Sequence, residues 1–100
     1  MVFFANIKWV SSQSGGRKMP PKQGTRYCPL IRLEDKGNAM DWSIDCICPD
    51  FNNTDKIIFK FLVDNAPENL IIVGNQYDLF EGNRMVAKIS ILERVCVGVQ

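Results

Sequence analysis

Apolar and polar residues alternate with a period of two along most of the chain, and that period predicts strands rather than helices. Over residues 2–10, Phe3, Ala5, Ile7 and Trp9 share one face while Phe4, Asn6, Lys8 and Val10 share the other. A second strand is predicted over 27–33. Pro29 inside it lacks the N–H that a ladder needs, so this strand belongs at an edge or carries a bulge there. The third, over 40–48, sets Trp42, Ile44, Cys46 and Cys48 against Ser43 and Asp45. The fourth, over 56–63, sets Ile57, Phe59, Phe61 and Val63 against Lys56 and Lys60. Residues 70–73 are apolar and β-branched enough for a short strand, and strands over 76–80 and 84–92 follow, joined at Glu81-Gly-Asn. In the last of these, Met85, Ala87, Ile89 and Ile91 face away from Val86, Lys88, Ser90 and Leu92. The tail, 93–100, extends that strand or lies over the surface. The turn at 34–38 is expected to take positive φ at Gly37-Asn38. No segment keeps a clear helical period. Six or seven short strands separated by turns predict an antiparallel sandwich or small barrel.

One stretch has no apolar period. Residues 11–26 form a connection longer than most loops in compact domains, and such loops tend to carry function or to be disordered. Gly15 and Gly16 allow tightly turned backbone, and Pro20-Pro21 stiffens the middle. Its cations are Arg17, Lys18, Lys22 and Arg26, followed by Tyr27.

Charge sharpens that picture. The net charge is +1. Residues 1–33 nevertheless carry six cations and no acid, whereas 34–100 carry six cations against eleven acids. Such a split either gives one side of a small domain a positive patch that attracts anions, or is mixed away by the fold.

Length allows one domain, 1–100. At 46% hydrophobic and 23% charged residues the composition is that of an ordinary globular protein. No apolar run is long enough to span a bilayer and the N-terminus has no signal-peptide pattern, so a cytoplasmic protein without membrane attachment is expected. Cys46 and Cys48 are spaced for one face of a strand, not for a Cys-x-x-Cys knuckle, and the chain has no histidine. The four cysteines therefore read as reduced, small apolar residues, and no metal or other cofactor is expected.

At this point the order of motifs resembles the third, C-terminal domain of translation elongation factor Tu. Phe3-Phe-Ala-Asn-Ile7 matches its opening Phe-x-Ala-x-Ile strand, and Gly15-Gly16-Arg17-Lys18-Met19-Pro20 its Gly-Gly-Arg-x-x-Pro element. Gly24 and Tyr27-Cys28-Pro29 echo its Gly and Tyr-Arg-Pro, and Leu79-Phe80-Glu81-Gly82 a worn form of its final hairpin. The likeness covers about residues 2–92. It implies an all-β fold, a six-stranded antiparallel closed barrel, here standing alone. In the factor this domain helps hold the T arm of aminoacyl-tRNA. Here Cys28 and Phe80 stand where the family has arginine, and Ala87 and Lys88-Ile89 where it has a glycine-rich step. No nucleotide is expected, because the chain has no Gly-x-x-x-x-Gly-Lys-Ser/Thr loop.

The remaining residues give little chemistry. Trp9 and Trp42 read as core. Asp50-Phe-Asn-Asn-Thr-Asp55 lacks the glycine and glutamate of a calcium loop and reads as a turn. Asp41, Asp45 and Asp50 read as surface charge. Cys28 has no histidine to serve as its base, so no enzyme is expected. The expectation is a non-enzymatic binding module engaging a protein partner, as a monomer or weak homodimer. The alternative is RNA or tRNA binding through the loop 15–26, with Arg17, Lys18, Lys22, Arg26 and Tyr27 as the contact residues. A third residue role stays open: Arg17 tied into the barrel by carbonyls or an acid, with the glycines serving the turn.

Overall fold

The computed structural model describes residues 1–96. Seven strands run through them: β1 (Val2–Trp9), β2 (Arg26–Tyr27), β3 (Leu30–Asp35), β4 (Asn38–Ile47), β5 (Lys56–Phe61), β6 (Gln76–Glu81) and β7 (Arg84–Val95). All pairings are antiparallel, in the order β4-β3-β6-β7-β1-β5, and β5 pairs back with β4. This is the expected closed six-stranded barrel, with β2 as an extra strand on β4.

That extra strand is β3 continued. Arg26 faces Ile47 and Leu30 faces Ser43, so one register runs through both, and only Cys28-Pro29 interrupts the ladder. Proline cannot donate, yet the Pro29 carbonyl still accepts from the Ile44 N–H at 3.0 Å.

Most period-two faces point where the sequence sends them; Val63 does not, because β5 ends at Phe61 and leaves it 43% exposed. Phe3, Ala5, Ile7, Ile31, Leu33, Ile44, Ile57, Phe59, Leu79, Ile89 and Ile91 fill the barrel, each at most 5% exposed. Phe3 stacks on Phe59 with ring centres 5.2 Å apart and meets Phe61 edge-on.

Strand β7 departs from strict alternation. Leu79 pairs with Ala87 and Phe80 with Met85, which leaves Val86 as an extra residue, and Leu92 is extra in the same way opposite Phe4 and Ala5. Two bulges bend and twist one long strand enough to close a small barrel. They also turn adjacent Val86 and Ala87 both inward, correcting the opposite faces expected for them.

Other boundaries moved. Residues 68–73 make no strand: Glu68–Leu70 is a single 3-10 turn, and Ile71 then drops into the core. The β3–β4 turn takes positive φ at Lys36 (53°) and Gly37 (81°), one residue earlier than expected. Of the tail 93–100, β7 absorbs residues through Val95, and 97–100 lie outside the described residues.

Two of the seams that close the barrel are short. The β3–β6 ladder stops after Ile31 with Leu79, and the β4–β5 ladder stops after Cys46 with Phe59. Beyond those points the strands diverge.

Candidate binding surface

The basic connection begins with a 3-10 turn, Ser12–Ser14, capped by the Ser11 side chain and closed by Gly15 at φ 90°. Gly16 follows in close contact with Val10, the residue just after β1. A Cβ there would lie 2.1 Å from the Val10 carbonyl oxygen, closer than any side chain tolerates. These two glycines fold the loop back over the end of the barrel and aim Arg17 inward.

Arg17 meets Glu81 from the end of β6, Nη1 to Oε2 at 2.6 Å, and its Nε donates to the Met19 carbonyl at 3.1 Å. The Tyr27 hydroxyl donates to the same carboxylate oxygen, and the Arg17 guanidinium lies 5.6 Å from the Tyr27 ring centre. Trp9 packs against Tyr27 and, edge-on, against Phe51, so the loop, three aromatic rings and an ion pair close this end of the barrel. Burial pushes the Glu81 carboxyl up, but its hydrogen bonds from Tyr27 and Arg17 outweigh that and hold it below the ordinary range. Burial, and then the bond to Glu81, raises the Tyr27 phenol far above its usual value.

The fold mixes the two charge sets. Arg17 pairs with Glu81, Arg26 with Asp45 and Arg32 with Asp41, so each arginine of residues 1–33 meets an acid from beyond residue 33. The Arg26 pair is two-pronged, Nε to Oδ1 at 2.9 Å and Nη2 to Oδ2 at 3.1 Å, and the Asp45 carboxyl is held low by it. Lys18 and Lys22 are exposed and, among the described residues, unpaired. The five residues of the expected contact surface are therefore not gathered. Arg17 and Tyr27 face Glu81, Arg26 stands on the side wall, and Lys18 and Lys22 point to solvent.

On that side wall, where β4 leaves β5, lies a groove of about 480 Å3. Its walls are Val2, Ile47, Pro49 and Ile58, and its rim carries the Arg26–Asp45 pair, Lys56 and Lys60. Ile47 is 59% exposed and Ile58 53%. Sequence reasoning passed over these residues, though a signal was present: an isoleucine at 58 interrupts the polar face between Lys56 and Lys60, and an outward apolar residue at that spot is unexplained by the core.

The other short seam ends differently. Where β3 leaves β6, the segment after the Glu68–Leu70 turn moves in with Ile71 fully buried. The Tyr77 hydroxyl donates to the Leu70 carbonyl and accepts from the Ile72 N–H, both at 2.9 Å. The Ile71 carbonyl accepts from Arg94 at 3.3 Å. What remains there is a polar groove of about 490 Å3 beside Arg32, Glu34 and Asp78.

Among the described residues no group of three Cys, Asp or Glu is placed to hold a metal ion, and no helix is long and apolar enough to cross a membrane. Cys46 is buried, its thiol pushed up to about 12 chiefly by that burial, which makes it inert as a nucleophile. Cys28 is exposed, 3.8 Å from Asp45. The indole N–H groups of Trp9 and Trp42 are buried without an acceptor, and nothing in the fold explains either. No family model, no curated protein and no solved structure matches this chain.

Proposed function

We propose that this protein is a non-enzymatic binding module that engages a protein partner through the β4–β5 groove. The observation that carries the reading is the exposure of Ile47 and Ile58 on one open apolar groove, when the barrel buries its other strand isoleucines. Exposed apolar surface of this kind, rimmed by charge, marks contact sites. The likeness to the third domain of elongation factor Tu belongs to the same proposal. It is supported by the turn at Gly15-Gly16 and by the six-stranded closure, and it implies a barrel whose work is contact rather than catalysis.

RNA binding through residues 15–26 is the weaker reading. Arg17 and Arg26 spend their guanidinium groups on Glu81 and Asp45, which leaves Lys18 and Lys22 as the loop's uncommitted cations among the described residues. Two lysines give a shallow electrostatic site.

Affinity capture from source-cell lysate, with and without nuclease, separates the readings. The expected result is a nuclease-resistant protein held by the wild type and by Lys18→Ala/Lys22→Ala, and lost with Ile47→Ser/Ile58→Ser. Capture that needs nucleic acid and the two lysines would overturn the protein reading.

A further inference from the structure

The groove is one end of a longer apolar band. In the β4–β5 ladder the Leu62 N–H bonds to the Ser43 carbonyl at 3.0 Å, so Asp45 with Lys60 is the next bonded pair. Cys46 then faces Phe59 as a non-bonded pair, which gives the Ile47 N–H to the Ile58 carbonyl and leaves only the Ile58 N–H outside the ladder. Strand β4 thus lies along β5 as far as the groove, and what this surface offers is side chains. Ile47 and Ile58 stand side by side on its outside. One strand further, Ile58 faces Phe4, which points outward because its neighbours Phe3 and Ala5 are fully buried. One strand further again, the bulge on β7 sets Leu92 beside Phe4, 42% exposed. The row Ile47, Ile58, Phe4, Leu92 therefore crosses four adjacent strands, β4, β5, β1 and β7, with one apolar side chain from each.

The borders of this row are charged. On β5, exposed Lys56 and Lys60 flank Ile58, one on each side of the row. Neither is ion-paired among the described residues. The one acid in the lining of the groove, Asp45, is held by Arg26 through two hydrogen bonds. An uncommitted acid stands only at the other end, where exposed Glu93 faces Phe4. The β4–β5 half of the row is therefore apolar between two free cations. A second copy of the chain pairing through that half would set cation against cation, whereas an acidic partner would meet both.

Spacing decides what kind of segment fits. Neighbouring strands lie about 4.8 Å apart, so four of them place apolar side chains at about 0, 4.8, 9.6 and 14.4 Å across the sheet. The apolar stripe of a helix, at i, i+4, i+7 and i+11, falls at about 0, 6, 10.5 and 16.5 Å along its axis and keeps step with the strands. An extended segment repeats one face only about every 7 Å and loses step after the second strand. Resting on the binding-module reading, we propose that the partner lays an acidic amphipathic α-helix on the outside of the barrel, across β4, β5, β1 and β7. Its apolar stripe covers Ile47, Ile58, Phe4 and Leu92, with the first side chain seated in the groove. Its Asp or Glu side chains on the turns above β5 meet Lys56 and Lys60. Such a helix draws affinity from its apolar anchors and orientation from the flanking charges.

The test pans a displayed library of random peptides, long enough for about five helical turns, on the intact protein. The enriched peptides, made synthetically, are titrated into 15N-labelled wild type, Ile58→Ser and Lys56→Gln/Lys60→Gln, with their helicity followed by circular dichroism. A parallel arm offers the protein phosphatidylserine vesicles. All three substituted positions are exposed, so the variants are expected to fold. The expected result is enrichment of apolar residues at i, i+4 and i+7 with acids beside them, helix gained on binding, and amide shifts across residues 2–6, 45–49, 56–60 and 90–93. Affinity should fall by about tenfold for the lysine variant, as two charge pairs are lost, and binding should vanish with Ile58→Ser. Apolar residues at every second position, basic flanks, shifts confined to residues 15–26 or 69–78, self-association through the row, vesicle binding in place of peptide binding, or no enrichment would each overturn the proposal. If the peptides fail while the captured protein still depends on Ile47 and Ile58, the helix falls and the binding-module reading stands. If both fail, both fall.

Discussion

Where β3 leaves β6 the chain supplies its own filling, and where β4 leaves β5 no described segment does. Both seams lose their ladder after only a few pairs. At the first, Ile71 is fully buried and Tyr77 ties the main chain on either side of it. At the second, two isoleucines remain more than half exposed beneath a rim of cations. The difference separates two uses of one geometric problem. A small barrel whose strands tilt strongly cannot keep every ladder paired to its end. A gap closed from within contributes to stability; a gap left open has surface to offer another chain.

The largest expected effect tests the filled seam. Ile71→Ala should destabilise the protein by about 2–5 kcal/mol, the range for truncating a fully buried aliphatic side chain, read by denaturant unfolding. Gly16→Ala comes next, at about 1–3 kcal/mol, because the new methyl meets the rigid Val10 carbonyl rather than a side chain that can turn away. Glu81→Gln should cost about 1–2 kcal/mol at pH 7, since it weakens the partner that Arg17 and Tyr27 share.

That carboxylate also sets a pH dependence. Glu81 is held low in the fold, so the stability it supplies is present above the ordinary value of about 4.3 and is lost as pH falls through the lower folded value. Tyr27 is held high, so its share is present below about pH 10 and is lost as pH rises beyond that. Stability measured against pH should flatten on the acid side in Glu81→Gln and on the alkaline side in Tyr27→Phe. The smallest effect belongs to the open seam: Ile58→Ser should change stability by no more than about 0.5 kcal/mol while abolishing partner capture. Destabilisation by Ile58→Ser as large as that of Ile71→Ala would erase the contrast between the seams.

Much of the fold was legible because a half-buried strand writes its faces directly into alternate residues. Phe3, Ala5 and Ile7, or Ile57, Phe59 and Phe61, needed no tertiary knowledge to place. Val86 and Leu92 did, because a bulge adds one residue to a strand without changing its local composition. Residues 70–73 misled for a related reason: Ile71 is apolar because it fills a seam, and burial alone does not distinguish a strand from a turn that inserts one side chain. At the candidate site, the sequence marks a basic loop but not its partners. Glu81 lies 64 residues from Arg17, and only barrel closure brings them together. The charge split looked like a patch and folded into three cross-paired arginines. The groove was half visible, as an isoleucine between two lysines, but Ile47, which faces it across the seam, is placed there by the register of β4.

Amide hydrogen exchange at Ile58, measured alone and with the captured partner bound, tests the open seam most directly. The account predicts fast exchange in the free protein, against slow exchange at Ile72, whose N–H the Tyr77 hydroxyl holds, and strong protection of Ile58 once the partner is bound. An Ile58 amide already protected in the free protein, or one that the partner leaves unchanged, would contradict it.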